Sequence, residues 1–285
     1  MKPCDPWGDA SRSRVDDRWA TAAAGWNAAL TDALIAAAAI APESLVVDVA
    51  AGSGDPSLEI VQRVSSVRVI ALDRSSAGLA LAREHGEKLG AASRTAFVQA
   101  DVYAIPVASD CADRITCRFG VMFFEKTGRA LSEMLRVLRP GGRVALLAWG
   151  PFQQPFFDAT IGTVLRLVPA SRTPEPTRAM YRFARRGSLS TELRNVGFRD
   201  VQETETTLPR MWAGSAADLW EYQQEVSTLY RPLFEAIPAA LRSRVAATVA
   251  AGLAQFKHGD RLSVPVQVVV ATGEKPFSLE SSPSS

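Results

Sequence analysis

The residues best suited to chemistry lie in a short glycine turn. Gly52 and Gly54 follow the apolar run Leu45–Val49, which we predict to be a strand buried on both faces, as in a parallel sheet. Asp55 and Pro56 then indicate the start of a helix, with Asp55 as its N-cap. Glycine lets the backbone approach a ligand closely, and a helix N-terminus favours an anionic group. The stretch therefore predicts a site for an adenosine-type ligand.

A carboxylate follows the second predicted strand. Asp73 comes directly after the apolar run Val67–Leu72. A carboxylate at that strand end can accept hydrogen bonds from ribose hydroxyls. The alternative is that Asp73 caps the predicted helix Ser75–Leu89. Its position at the end of the strand favours the ribose.

The motifs and the order of elements around the glycine turn reduce the number of fold classes that fit the sequence. The dinucleotide fingerprint G-x-G-x-x-G/A is incomplete, because Ser57 stands at its third position, and the P-loop lysine is absent. Four further elements follow in order: the strands Thr95–Gln99 and Arg114–Phe119, the helix Lys126–Val137 and the strand Val144–Trp149. A Pro-Gly-Gly turn at 140–142 lies between that helix and the strand Val144–Trp149. Alternating strands and helices predict an α/β fold with a mostly parallel sheet.

Residues 45–150 resemble the class I S-adenosylmethionine (SAM) dependent methyltransferases. Asp48, Gly52 and Gly54 fit the D-x-x-x-G-x-G pattern of that family, and the Pro-Gly-Gly turn looks like the one before its fifth strand. The chain is most similar to the small-molecule type found in ubiquinone and menaquinone biosynthesis. It departs from many relatives at Ala50-Ala51, where they have Gly and Cys. The resemblance implies SAM as the cofactor and a Rossmann-like, seven-stranded, mostly parallel sheet with helices on both faces.

The resemblance also implies roles for individual residues. Asp101 would meet the adenine amino group, and the backbone N–H of Val102 a ring nitrogen. Arg118 would bind the cofactor carboxylate or a substrate anion; pairing with Asp110 or Asp113 is an equally open alternative. The predicted cofactor-binding residues are Asp48, Ala50, Gly52, Gly54, Asp73, Arg74, Asp101, Val102, Arg118 and Phe119.

The rest of the chain is expected to shape the acceptor pocket. The predicted organisation is a flexible arm (1–14), an N-terminal helix over the cofactor cleft (15–42), the SAM-binding core (43–150), a loop, helix and sheet completion (151–212), a helical substrate cap (213–260), the last strand (261–273) and a tail (274–285). Two strands, Phe198–Thr206 and Val264–Ala271, would close the sheet as an antiparallel pair. The arginine-rich loop 170–186 is a solvated face or a lid for an anionic substrate.

Residues for acceptor binding and catalysis are few. Methyl transfer from SAM is an in-line displacement, so the enzyme mainly binds, aligns and desolvates. A general base is needed only if the acceptor is not already nucleophilic, and His258 is the candidate. The helix containing Trp19 and Trp26 packs on the domain or lies over the ligand cleft. The predicted substrate-binding residues are Trp26, Phe123, Tyr181 and Tyr222.

Composition excludes several classes of protein. The chain has 285 residues, 47% hydrophobic and 22% charged, with a net charge of +2, which is ordinary for a soluble globular protein. The near-neutral charge favours no nucleic-acid partner. The run Ala28–Ala41 is too short to cross a membrane, and three cysteines without a secretion signal indicate a cytoplasmic protein. No metal site is predicted, and a homodimer is left open.

The sequence therefore predicts a SAM-dependent methyltransferase acting on a small organic acceptor. O-methylation of a hydroxyl on a natural product or metabolite is the first interpretation. The alternatives are C-methylation of the quinone-biosynthesis type and a non-catalytic SAM-binding scaffold. A nicotinamide-dependent oxidoreductase is disfavoured by the incomplete fingerprint and the Pro-Gly-Gly turn.

Overall fold

The protein folds around one mixed β-sheet. The structure is a computed structural model, and it describes residues 17–169 and 171–277. The strands are β1 Leu45–Val49, β2 Arg68–Asp73, β3 Thr95–Gln99, β4 Ala112–Arg118, β5 Leu138–Trp149, β6 Arg199–Trp212, β7 Lys257–His258 and β8 Arg261–Glu274.

Helices cover both faces of the sheet. They are α1 Ala20–Ala23, α2 Ala28–Ala38, α3 Ser57–Arg63, α4 Ser76–Lys88, α5 Thr127–Val137, α6 Pro155–Phe157, α7 Thr163–Leu167, α8 Glu175–Arg178, α9 Ser188–Val196, α10 Ala216–Val226, α11 Arg231–Glu235 and α12 Ala239–Ala254. Short 3-10 turns and one π-helical turn, Asp158–Gly162, lie between them. No helix of the described ranges is long and apolar enough to cross a membrane.

The strand order is β3-β2-β1-β4-β5-β8-β6, and the short β7 pairs with the start of β8. Strands β1 to β5 pair in parallel, whereas β8 runs antiparallel to both β5 and β6. Parallel strands buried on both faces need apolar runs such as Leu45–Val49, where only Leu45 is not fully buried. The prediction of a Rossmann-like, mostly parallel sheet is confirmed.

The last two long strands extend beyond the parallel part of the sheet. Trp149, the last residue of β5, pairs with Val268, whereas β8 begins seven positions earlier, at Arg261. The first half of β8 and the end of β6 therefore form a two-stranded ribbon past the carboxyl ends of the parallel strands. This ribbon leads into α10, α11 and α12, which form the helical cap.

Several predicted elements have different limits in the structure. The N-terminal helix is not continuous: α1 ends at Ala23 and α2 begins at Ala28, and between them Gly25 lies against Met211 of β6, where an added Cβ would come 3.3 Å from the Met211 Cβ. β6 and β8 have 14 residues each, longer than the predicted runs. The predicted arm 1–14 lies outside the described residues, and so does most of the predicted tail 274–285. Strand β8 ends at Glu274, one residue beyond the predicted end of the last strand. The division of the chain into domains stays a prediction.

Candidate active site

The glycine turn after β1 has an unusual backbone. Ala50, Gly52 and Gly54 have positive φ angles of 61°, 58° and 101°. Ala50 is a non-glycine residue in the left-handed region, where Cβ sterics disfavour the conformation. The turn is held by the Ala51 N–H, which donates to the Leu72 carbonyl at 2.9 Å. A strained backbone held in place by neighbouring strands is common at ligand sites.

Asp73 connects this turn to the end of β2. Its side chain is buried, and one oxygen accepts the Gly52 N–H at 2.8 Å while the other accepts the Ser75 N–H at 2.8 Å. Helix α4 is capped by the hydroxyl of Ser75, which accepts from Gly78 N, so Asp73 is not its N-cap. Each carboxylate oxygen can accept a second hydrogen bond. The ribose role of Asp73 stays a prediction that this geometry permits.

The predicted adenine contacts lie at the next strand end. Asp101 is exposed two residues after β3, and one of its oxygens accepts the Tyr103 N–H at 3.0 Å. Val102 is half-buried beside it. Arg74 is exposed after β2, and its carbonyl accepts the Gln99 side-chain amide at 3.0 Å. The structure therefore places Asp73, Arg74, Asp101 and Val102 at one edge of the sheet.

Asp48 is not available to a ligand, in contrast to its predicted contact with the cofactor. It is fully buried, and it accepts hydrogen bonds from Ser57 Oγ at 2.5 Å and Thr116 Oγ1 at 2.8 Å. Burial raises its pKa to about 6, although both hydroxyls oppose the shift. Asp48 therefore joins the first turn of α3 to β4 and positions the glycine turn indirectly.

Asp55 and Arg118 form an ion pair that sequence reasoning missed. Helix α3 begins at Ser57 with Pro56 at the N-cap position and no side-chain cap, so the predicted capping by Asp55 is wrong. The Asp55 carboxylate instead faces Arg118, with N–O distances of 2.5 and 2.6 Å. Asp113 pairs with Arg139 and Asp110 with Lys275, so neither is the partner of Arg118. Arg118 is nearly buried, with 9% of its side chain exposed.

Helix α2 completes what we call the Asp55 network, defined by Asp55, Arg118, Thr31 and Asn27. Arg118 also donates to Thr31 Oγ1 at 2.8 Å, and the Asn27 side-chain amide donates to Asp55 at 3.2 Å. The other end of Asn27 accepts a hydrogen bond from Arg210 of β6 at 2.8 Å. The network therefore connects the glycine turn, the end of β4, the N-terminal helix and the ribbon.

Phe119 begins a set of stacked rings beside the network. It has a φ of 58° at the residue after β4, and its ring stacks on Trp149 with a centroid distance of 4.2 Å. Trp149 packs edge-on against Phe157, at 5.4 Å. Phe152 and Tyr181 pack in turn on Phe157, at 5.8 and 5.5 Å. We call these five residues the aromatic layer. Its position at the ends of β4 and β5 leaves Phe119 as a predicted cofactor contact.

Trp26 and Tyr222 lie in the core, and their predicted contact with substrate is not supported. Trp26 has 2% of its surface exposed and lies against Trp212, with a ring distance of 6.1 Å. Tyr222 is also buried, 5.0 Å from the same Trp212 ring. Both rings pack the N-terminal helix against the ribbon and the cap, which is the packing alternative of the sequence analysis.

Tyr181 and Phe123 remain candidates for contact with an acceptor. Tyr181 is half-buried, and its hydroxyl lies 2.7 Å from that of Tyr230. Burial raises the pKa of Tyr181 and raises that of Tyr230 to about 12, so neither phenol is a base near neutral pH. Phe123 is half-buried in the 3-10 turn after β4.

His258 does not reach this region. It is exposed in the two-residue strand β7, where it pairs with Arg261 at the far end of the ribbon. Exposure on this hairpin gives the imidazole no desolvated pocket in which to meet an acceptor. The role of His258 as a general base stays a prediction without structural support.

Arg210 is the charged residue that the sequence analysis omitted. It is buried in β6 with 8% exposure, and burial lowers its pKa to about 9. The predicted strand ends at Thr206, four residues before Arg210. Continuing the alternation from Leu208 through Arg210 to Trp212 would have placed its side chain on the inner face.

Metal and thiol chemistry have little support in the described part of the chain. Residues 17–169 and 171–277 hold no group of three or more His, Cys, Asp or Glu side chains that could bind a metal ion. Burial raises the pKa of Cys117 to about 12, so its thiol is protonated. A cleft of about 650 Å³ exists in the cap, but its walls come from residues 217–250 and from none of the predicted site residues.

Comparisons with known proteins match this arrangement. A methyltransferase-domain family model matches residues 46–142. The chain is 30% identical over 167 residues to a ubiquinone/menaquinone biosynthesis C-methyltransferase UbiE of Paracoccus denitrificans, covering 55% of this chain and 67% of that protein. It is 31% identical over 169 residues to a malonyl-[acyl-carrier protein] O-methyltransferase of Methylococcus capsulatus, covering 59% of this chain and 57% of that protein.

A solved structure shows the same fold. Phosphoethanolamine N-methyltransferase 2 of Haemonchus contortus, in complex with S-adenosylhomocysteine, aligns with a TM-score of 0.56 and 16% identity, covering 89% of this chain and 53% of that one. The sheet order and the glycine turn are those of proteins that bind an adenosine cofactor at the carboxyl ends of parallel strands. The chain belongs to the class I SAM-dependent methyltransferases. SAM is its cofactor, and methyl transfer is its reaction.

Proposed function

We propose that this enzyme methylates a carbon atom of a small hydroxylated aromatic acceptor, such as a quinol. The observation that carries the proposal is the aromatic layer, in which the half-buried rings of Phe119, Phe152 and Tyr181 pack on the buried rings of Trp149 and Phe157. Flat apolar rings stack well on such a surface. The C-methyltransferase named among the relatives supports the choice of a carbon acceptor. This order reverses the initial preference for O-methylation.

The residues at the strand ends fit SAM. Asp73 lies at the end of β2, where its carboxylate can accept from ribose hydroxyls, and one carboxylate oxygen of Asp101 makes no hydrogen bond within the described residues and can meet the adenine amine. The positive φ angles of Gly52 and Gly54 allow close approach of the backbone. When bound, SAM supplies a methyl group activated by its sulfonium. We assign Phe119 to the wall beside that group.

The residues of this chain then act by alignment and exclusion of water. The aromatic layer holds the acceptor ring against the strand ends and removes water from it. No described side chain of the layer is a base at neutral pH, because the phenol of Tyr181 has a raised pKa. The acceptor must therefore be nucleophilic by itself. A hydroxylated ring whose oxygen pushes electron density onto the neighbouring carbon meets this requirement.

The test is a product analysis. The purified enzyme is incubated with methyl-labelled SAM and either a 2-alkyl hydroquinone or its dimethyl ether, and the product is examined by NMR. We expect a new ring-carbon methyl signal with the hydroquinone and no product with the ether. Phe119→Leu should raise the acceptor KM, and Phe277→Leu, at an exposed ring, is the matched control. A methoxy product would refute carbon methylation.

O-methylation is the second candidate, because one relative is named as an O-methyltransferase. The same experiment supports it if the label appears as a methoxy signal. Binding of S-adenosylhomocysteine without transfer to any acceptor would instead favour the non-catalytic scaffold. The cytoplasmic location, the homodimer and the lack of a nucleic-acid partner stay predictions.

A further inference from the structure

Arg210 is a buried cation without a carboxylate partner in the described residues. Its Nε donates to the Trp26 carbonyl at 3.1 Å and its Nη2 to Asn27 Oδ1 at 2.8 Å. Both acceptors are neutral. The guanidinium carbon lies 3.8 Å above the Trp26 ring, which stabilises the charge without neutralising it. A buried guanidinium normally pairs with a carboxylate, because desolvating a lone charge is costly.

The neighbouring ion pair leaves this charge uncompensated. Asp55 is the nearest carboxylate of the Asp55 network, and both of its oxygens are already within 2.6 Å of Arg118 nitrogens. Asn27 stands between Asp55 and Arg210, with its amide donating to one and its carbonyl accepting from the other. Asp55 thus pairs directly with Arg118 and reaches Arg210 only through Asn27. The carboxyl groups of Asp48 and Glu59 also interact with the Asp55–Arg118 pair and make no hydrogen bond with Arg210 among the described residues.

One nitrogen of Arg210 is left without a hydrogen-bond partner among the described residues, and the guanidinium group lies near the aromatic layer. Nε and Nη2 are used on residues of the N-terminal segment, whereas Nη1 has no hydrogen-bond partner among the described residues. The guanidinium carbon is 5.7 Å from the Trp149 ring centroid, and Trp149 carries the stacked ring of Phe119. The guanidinium group therefore lies close to Trp149, a buried member of the aromatic layer. Asn27 separates it from the glycine turn.

We propose that Arg210 binds an oxyanion of the acceptor, a carboxylate or a phenolate oxygen, and so selects anionic acceptors. The inference rests on the proposed function and names its substrate class. A guanidinium offers a planar pair of N–H donors that matches a carboxylate, and such charge-assisted bonds are the strong ones. SAM carries a net charge of +1, which also favours an anionic group on the acceptor. A phenolate held here is electron-rich at its ring carbons, which suits carbon methylation.

The competing explanation is a structural one, in which Arg210 only packs Trp26 against the ribbon. If Arg210 only packs, removing its charge leaves the affinity for an anionic ligand unchanged, whereas the proposal requires that affinity to fall. Arg210→Met keeps a long apolar side chain over Trp26 and removes the charge and the donors. Arg210→Lys keeps the charge and removes the planar fork. Arg199→Met, at an exposed position of the same strand, is the matched control.

The experiment is calorimetric and uses defined probes. 4-Hydroxybenzoate and 4-hydroxybenzyl alcohol are titrated into the enzyme saturated with S-adenosylhomocysteine. We expect the wild type and Arg199→Met to bind the benzoate about tenfold more tightly than the alcohol, a ratio worth one charge-assisted bond. Arg210→Met should bring the ratio close to one, and Arg210→Lys should keep part of it. Thermal melting checks that each variant is folded.

A second arm separates the acceptor from the cofactor carboxylate. S-Adenosylhomocysteine and its decarboxylated analogue are compared on wild type and Arg210→Met. If wild type and Arg210→Met prefer S-adenosylhomocysteine over the decarboxylated analogue by the same factor, Arg210 does not bind the cofactor carboxylate, and its assignment to the acceptor is supported. Loss of that discrimination in Arg210→Met would assign Arg210 to the cofactor and overturn the proposal. An unchanged benzoate preference in Arg210→Met, or in Arg210→Lys if the first variant does not fold, would also overturn it. The proposed function fails separately, in the product analysis.

Discussion

The stability of the enzyme should depend on pH through Asp48, and Asp48→Asn should remove that dependence. The pKa of the buried carboxyl is raised from 3.8 to about 6, so the folded state holds its proton more tightly than the unfolded state. The stability contributed by the protonated form is therefore fully present below pH 3.8 and is lost as the pH rises through about 6. Above that range the ionised carboxylate costs about 3 kcal/mol relative to a neutral group.

Asparagine is the matched neutral substitution at this position. Its carbonyl can accept from one of the two hydroxyls of Ser57 and Thr116, and its amide can donate to the other, which can rotate. The free energy of unfolding of Asp48→Asn should exceed that of the wild type by about 1 kcal/mol near pH 4.5 and by about 3 kcal/mol near pH 7.5, plus a pH-independent offset.

Urea unfolding followed by tryptophan fluorescence measures this difference at each pH. The chain has six tryptophans, and Trp149 lies in the sheet whereas Trp212 lies in the ribbon and Trp220 in the cap, so the signal reports global unfolding. Asp260→Asn is the control, because that side chain is 93% exposed. A stability difference between Asp48→Asn and wild type that stays constant over this range would refute the raised pKa, and with it the view that burial outweighs the two hydrogen bonds.

Three further predictions concern the site. Asp73→Ala should weaken binding of S-adenosylhomocysteine by about 1–3 kcal/mol in calorimetry, and unchanged affinity would remove the residue from the site. Asp55→Ala leaves Arg118 unpaired and should lower the free energy of unfolding by about 2 kcal/mol, discounted because Asp55 is 33% exposed; an unchanged urea midpoint would contradict this. Gly120→Ala places a Cβ 2.5 Å from that of Ala50 and should cost about 1–3 kcal/mol. Ala50→Gly should recover part of the cost in the double variant, and strict additivity would argue against this contact.

Local patterns were enough to predict the cofactor half of the fold. Strands β1 and β3 have the predicted limits, because their apolar runs specify them without help from distant residues. The lengths of β6 and β8 were underestimated. Their outer halves pair with each other beyond β5, and polar residues such as Thr207, which is exposed, and Gln267, which is half-buried, interrupt the apolar pattern there.

The candidate site was predictable in position but not in its charge pairing. The glycine turn and the carboxylates Asp73 and Asp101 follow strand ends, so their edge of the sheet could be inferred from the topology alone. The pairing of Arg118 with Asp55 could not, because it joins residues 63 positions apart through a turn that was expected to cap a helix. Trp26 and Tyr222 were ambiguous for a related reason: an aromatic at helical spacing fits a core and a ligand wall equally well.

The N-terminal helix contacts both binding regions, and this has a thermodynamic consequence. Its start is tied to Glu225 of the cap through Trp19, whose indole donates at 2.7 Å, and Asn27 is tied to the glycine turn through Asp55. An acceptor that reorders the cap and a cofactor that reorders the turn thus act on the same N-terminal segment, which comprises α1 and α2. Coupling between two ligands is reciprocal. If bound cofactor raises the affinity for the acceptor by some factor, bound acceptor must raise the affinity for the cofactor by the same factor.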